Sequence, residues 1–152
     1  MRKEFKNHLL KSAILGCAIP TGIINGLLTY FTGHEKTFME AAIDMNITIA
    51  ALSFIVAVLV YPIMLKLSHT LPDPGISRDE MPFFKSLPTN TFALSAVIMI
   101  IITIIFGIIP AGVFAIFKPA SISVINYTIF KAVYTGIVAV PVNYIAAAMA
   151  KF

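Results

Sequence analysis

The chain has 152 residues, of which 59% are hydrophobic and 12% charged, and its mean hydropathy is +0.92. A soluble domain carries about 25% charged residues, so this composition excludes a surface that faces water throughout. The net charge of +4 sits at segment ends, which speaks of membrane orientation and not of nucleic acid, and Cys17, the single cysteine, excludes an intrachain disulfide.

Residues 1–11 hold Arg2, Lys3, Lys6 and Lys11 against one acid, Glu4. Residues 12–31 carry no charge, and a run of about 20 apolar residues suffices to cross the hydrocarbon core. Within it, Ile14-Leu15-Gly16-Cys17 has the form of a lipoprotein processing box. The apolar stretch between Lys11 and Cys17 is too short for a signal peptide, and the run continues past the cysteine. The segment is therefore predicted as a first span, with Cys17 a small residue inside it.

Residues 32–46 are polar. The stretch 37–45 is predicted as a short amphipathic helix at the membrane interface, with Lys36 and Glu40 spaced to pair at i and i+4. Asp44 lies just before the next span, where a helix N-terminus favours negative charge. The cluster His34, Glu35, Glu40 and Asp44 is a candidate for weak cation binding; the plainer reading is a solvated interfacial helix. No metal-ligand spacing accompanies it, and no metal or other cofactor is expected.

The second span covers residues 47–65. Residues 66–90 form the longest polar stretch, with a turn at Pro72-Asp73-Pro74-Gly75 and with Pro82 and Pro88 opposing a long helix. The third span covers 91–117, about 40 Å if straight, against a core of ~30 Å. A kink at Pro110, preceded by Gly107, is the expected adjustment. Residues 118–131, with Pro119, read as a short connection. The last span covers 132–150, and Lys151-Phe152 closes the chain. Eight of the eleven Lys and Arg residues fall in the N-terminal segment, in 66–90 and at the C-terminus. Both termini and the central stretch are therefore expected in the cytoplasm. Aromatic residues group in the same sense, Tyr30, Phe31, Phe117, Tyr127 and Phe130 at the outer interface and Phe83, Phe84, Phe92, Tyr144 and Phe152 at the inner one.

Three phrases occur twice in the same order. Ile19-Pro20-Thr21-Gly22-Ile23 is echoed by Ile109-Pro110-Ala111-Gly112-Val113. Asn46-Ile47-Thr48-Ile49 is echoed by Asn126-Tyr127-Thr128-Ile129. Ile55-Val56-Ala57-Val58 is echoed by Ile137-Val138-Ala139-Val140, and Pro62 and Pro141 follow the last phrase of each copy. This order reads as a duplication. The expected fold is an all-α integral membrane protein of four transmembrane helices, one membrane domain over 1–152. Its first repeat covers about 9–68, its joint 66–90 and its second repeat about 90–151. An even number of helices per copy makes the repeats parallel. The layout resembles a bacterial family of small membrane proteins of unknown function built from a two-helix unit, here in tandem over about 9–68 and 90–151. The resemblance implies the fold and assigns no activity.

Each span holds one proline, Pro20, Pro62, Pro110 or Pro141. Each removes a helix hydrogen bond and frees a carbonyl, which in lipid must find another partner. These carbonyls are candidates for a polar pathway; the plainer reading is helix shaping. Gly22-x-x-x-Gly26 allows close helix packing, and Gly107 and Gly112 are the corresponding candidates in the third span. Asn25 and Asn143 are the most polar groups inside the spans, and each is expected to bond a hydroxyl or a freed carbonyl. By these boundaries no span contains an ionisable group, which argues against proton-coupled transport. No nucleophile–base pair or phosphate loop is present, and no catalytic residue or enzyme activity is expected. The leading expectation is a permease or channel-like protein of a bacterial plasma membrane for a neutral, apolar or lipid-like substrate, acting as a homo-oligomer in the lipid bilayer. The alternative is a non-transporting accessory subunit of a larger membrane partner.

Overall fold

The computed structural model describes residues 1–117 and 121–152. The connection through Lys118 and Pro119 lies outside the described residues, as does the Phe117 side chain. The fold is all-helical. Four helical rods, Lys3–Thr32, Phe38–Lys66, Thr91–Ile116 and Val124–Lys151, are long and apolar enough to cross a membrane.

The first rod has three parts: α1 (Lys3–Lys11), π-helical turns over Ser12–Ala18, and α2 (Ile19–Thr32). In the middle part the Ile19 N–H reaches back five residues to the Ile14 carbonyl. Pro20 follows at once. A proline ring has no N–H to donate and crowds the carbonyl four residues earlier; a wider turn just before it relieves that crowding. The rod begins at Lys3 and not at residue 12, because Phe5 and Leu9 bury one side of the basic segment.

The second rod, α3 (Phe38–Lys66), absorbs the segment predicted as a separate interfacial helix. A capping box starts it: the Glu40 N–H donates to Thr37 Oγ1 at 3.3 Å, and the Thr37 N–H donates to Glu40 Oε2 at 2.8 Å. Glu40 is thus occupied by the cap, and no ion pair joins it to Lys36 among the described residues. The joint contains two short 3₁₀ turns and α4 (Pro82–Ser86). Next, α5 (Thr91–Phe117) is preceded by Asn90, whose Oδ1 accepts from the Phe92 and Ala93 N–H groups. Finally, α6 (Val124–Lys151) starts at Ser123, whose hydroxyl accepts from the Asn126 N–H. This start is a correction to the expected connection 118–131, since Lys131 lies two turns inside the helix.

The rods form a row. α2 packs on α6, α6 on α3 and α3 on α5, while α2 and α3 make little direct contact although a short connection joins them. α6 is the most enclosed. Residues 146–150 are all buried, and the small side chains of Ala146, Ala147, Ala148 and Ala150 permit close approach from several sides.

The ends of the row are distinct. At one end the two termini meet the joint: the Arg2 N–H donates to the Pro74 carbonyl at 2.8 Å, Lys151 Nζ donates to the Ser68 carbonyl at 2.8 Å, and the Phe5 and Phe84 rings both pack on Phe152. At the other end the two connections pair, with Lys36 and Ile122 exchanging backbone hydrogen bonds of 3.1 and 2.7 Å. Along the flanks large apolar side chains stay exposed, among them Ile23, Leu27, Ile55, Ile104, Ile108 and Ile129. Soluble monomers rarely show such continuous apolar surface.

Candidate functional site

The most polar constellation inside the row lies between α3 and α6, near the connection end. Asp44 is the seventh residue of α3. Tyr127 and Lys131 stand one helical turn apart on α6, so both side chains leave on one face. Lys131 Nζ donates to Asp44 Oδ2 at 2.7 Å, and the Tyr127 hydroxyl donates to the same oxygen. Lys131 is nearly enclosed, its side chain 11% exposed, while that of Asp44 is 35% exposed. Lys36 adds a second cation: its Nζ and that of Lys131 each lie 5.7 Å from the centre of the Tyr127 ring. An aromatic ring attracts cations through its quadrupole. The cluster therefore holds two lysines with one carboxylate and one phenol between them.

The expected spans 47–65 and 132–150 carry no Asp, Glu, Lys, Arg or His, and the helices run beyond them. The two capped helix starts, at Thr37 and Ser123, lie well before the uncharged runs. As a result Asp44 and Lys131 belong to the rods themselves. Charges so placed tie helices together, because each would be costly unpaired in a poorly solvated setting.

A second polar knot surrounds Pro110 inside α5. Pro110 is buried and cannot donate to the Phe106 carbonyl four residues earlier. The Tyr134 hydroxyl of α6 donates to that carbonyl at 2.6 Å. Beside it, Asn46 Nδ2 of α3 donates to the Gly107 carbonyl at 3.4 Å and to its own Ala42 carbonyl at 2.9 Å. A Cβ at Gly107 would collide with Asn46 Oδ1, so any larger residue there forces the Asn46 amide to turn away. The carbonyl freed by Pro110 thus meets a protein donor. The other three prolines are placed differently: Pro20 is exposed, and Pro62 and Pro141 are half-buried inside α3 and α6. Among the described residues, none of the four lines any of the three main surface grooves.

Gly22 and Gly26 face α6. A Cβ at Gly22 would lie 2.7 Å from the Ala132 carbonyl oxygen, and one at Gly26 would lie 3.0 Å from the Ala132 Cβ. Gly136 completes the contact from the α6 side, where a Cβ would lie 3.1 Å from the Ala18 carbonyl oxygen and 3.9 Å from the Gly22 Cα. Gly112 has no such neighbour within 4 Å among the described residues. Asn25 donates to the Thr21 carbonyl of its own helix at 3.0 Å. Asn143 is buried, and its Oδ1 has no partner among the described residues.

The cation candidates separate. Glu40 caps α3, Glu35 accepts from the Ser121 hydroxyl, and Asp44 belongs to the lysine cluster. No group of three or more potential metal ligands comes together among the described residues.

The sequence singles out neither Lys131, Tyr134, Asn46 nor Gly136. Two signals were present: the i, i+4 spacing of Tyr127 with Lys131, and Ala132-x-x-x-Gly136 as a small-residue counterpart to Gly22-x-x-x-Gly26. Compared with known proteins, the chain matches no family model, no curated protein and no solved structure. The layout resemblance noted above gains no support from these comparisons.

Proposed function

We propose that this chain is a multi-pass protein of a bacterial plasma membrane that acts by associating with lipid and with other membrane proteins, as an accessory subunit or a homo-oligomer, and not by passing solute through its own bundle. The observation that carries this reading is the packing of α3 and α6. Ala57, Ile49, Val138, Val142, Ala139 and Ala146 are buried around the middle of the row. The grooves lie on the outer surface and are lined mostly by apolar side chains. A permeation path needs a continuous lining of polar groups or water; here Asp44, Lys131 and Tyr134 are engaged with protein partners.

Two parallel repeats fit the contact pattern. The first helix of copy one (α2) packs on the second helix of copy two (α6). The first helix of copy two (α5) packs on the second helix of copy one (α3), and the two second helices pack together. Exchanging the copies leaves that pattern unchanged, and the two connections pair with each other. In this reading the termini and the joint face the cytoplasm, following the Lys and Arg distribution.

A second reading, a permease for an apolar or lipid-like molecule, is favoured by the groove between α2 and α6. Flux separates the two. Proteoliposomes of the purified protein are expected to translocate a fluorescent phospholipid analogue no faster than protein-free vesicles, while crosslinking in native membranes gives a discrete oligomer or complex. Flux well above the blank overturns the accessory reading.

A further inference from the structure

The groove between α2 and α6 has a volume of about 600 Å³. Its floor is the close contact of Gly22 and Gly26 with Ala132 and Gly136, and exposed apolar side chains such as Ile23 and Val133 wall it. It runs from Ile14 to Leu27, which is about 20 Å along a helix. That exceeds half of the ~30 Å hydrocarbon core, so the groove matches one acyl chain of one leaflet.

The helix face that carries Ile14 continues into α1. Positions three, eight and eleven residues earlier hold Lys11, Lys6 and Lys3, the spacings that keep residues on one broad side of a helix. All three lysines are exposed, and none forms an ion pair among the described residues. Of the other cations at this end, Arg2 pairs with Asp73, Lys85 pairs with Asp79 and Lys151 donates to the Ser68 carbonyl, while Lys66 closes α3, outside this stripe. Glu4 borders the stripe and offsets one of its charges. Lysine side chains on a helix lean toward its N-terminus, away from the groove and toward the level of lipid headgroups.

We propose that the groove and this stripe form one site for a single anionic phospholipid of the leaflet at the terminal end. One acyl chain lies between α2 and α6. The phosphate sits nearest Lys11, with Lys6 and Lys3 progressively farther out. Each cation near an anionic surface contributes attraction that falls off within a Debye length. The site requires only that the first rod spans the bilayer, so the flux result above can fail without touching it.

Thermal unfolding in a neutral detergent tests the site, with phosphatidylglycerol and phosphatidylcholine of matched chains as probes. Phosphatidylglycerol should raise the Tm of the wild type more than phosphatidylcholine does. In K3Q/K6Q/K11Q the two lipids should act alike, reflecting an affinity for phosphatidylglycerol about tenfold weaker. Soluble glycerol phosphate, which has the headgroup and no chains, should give no shift. Val133→Phe, a change at an exposed groove wall, should reduce the phosphatidylglycerol shift, and it decides the matter if the triple variant does not fold. Equal shifts for the two lipids on the wild type overturn the proposal. So does a preference retained by the triple variant, a glycerol phosphate shift equal to that of the lipid, or an undiminished shift in Val133→Phe.

Discussion

Asp44 and Lys131 are unequally exposed, and that inequality sets what each substitution costs. Asp44→Asn leaves the enclosed Lys131 ammonium without its counter-charge. Removing one partner of a buried pair costs about 3–5 kcal/mol; the partial exposure of Asp44 lowers the expected loss to about 2–3 kcal/mol. Lys131→Met removes the enclosed charge itself. It leaves Asp44 with the Tyr127 hydroxyl and some solvent, so a loss of about 1 kcal/mol is expected. The double variant should resemble Lys131→Met alone, because its only new cost has been removed. Unfolding in mild detergent by titrated denaturing surfactant measures all three. Equal losses for the two single variants would mean that the pair is solvated and does not bind the helices together. The residues of this cluster were in plain view in the sequence, and their partnership was not. Tyr127 and Lys131 are local neighbours, but Asp44 is 87 residues from Lys131, and no local rule joins them. Hydropathy places Lys131 at the end of a connection, because a charge ends an apolar run.

At the scale of elements, the uncharged runs disclosed that four helices exist, and capping chemistry decided where they begin. Thr37 with Glu40 and Ser123 with Asn126 start α3 and α6 before the apolar residues do. Hydropathy is blind to such starts, since it weighs side-chain transfer and not unsatisfied backbone N–H groups. The π-helical turns over Ser12–Ala18 had only Pro20 as a forerunner. Helix pairing follows close backbone approach, and Gly22 is its most sensitive point. Gly22→Leu places a Cβ 2.7 Å from the Ala132 carbonyl oxygen, so α2 must move away from α6. Overpacking of a tight contact costs about 1–3 kcal/mol. Ile23→Leu, at an exposed neighbour, should change stability by less than about 0.5 kcal/mol. Thermal stability of the two variants in the same detergent makes the comparison. If both match wild type, α2 turns a different face to α6.

The whole molecule has both termini and the joint at one end and the two connections at the other. Reporter domains fused after Phe152 and inserted within residues 34–40 should therefore report opposite sides of the membrane, and a reporter fused before Met1 should agree with the one after Phe152. Reporters at 34–40 and after Phe152 that agree with each other would exclude four spans. The order of helices in the row was not legible in the sequence. Repetition of phrases suggests two copies, and chain neighbours usually pack together, which would set α2 against α3. Instead the small-residue faces choose: Gly22 fits Ala132 and Gly136 on α6, and Asn46 on α3 fits Gly107 on α5. Surface fit between distant segments outweighs adjacency in the chain, and nothing in a linear pattern ranks such fits.

That row order has a consequence in time. A ribosome emits about 5–20 residues per second. The 87 residues that separate Asp44 from Lys131 thus take about 4–17 s to appear. During this interval α2 is complete and α3 is finished early, while α6, the helix that neutralises Asp44 on α3 and covers the glycine face of α2, has not been made. The nascent chain therefore carries an unmatched carboxylate and an uncovered helix face through most of its own synthesis, and any factor that shields intermediates at the insertion machinery would find its work there.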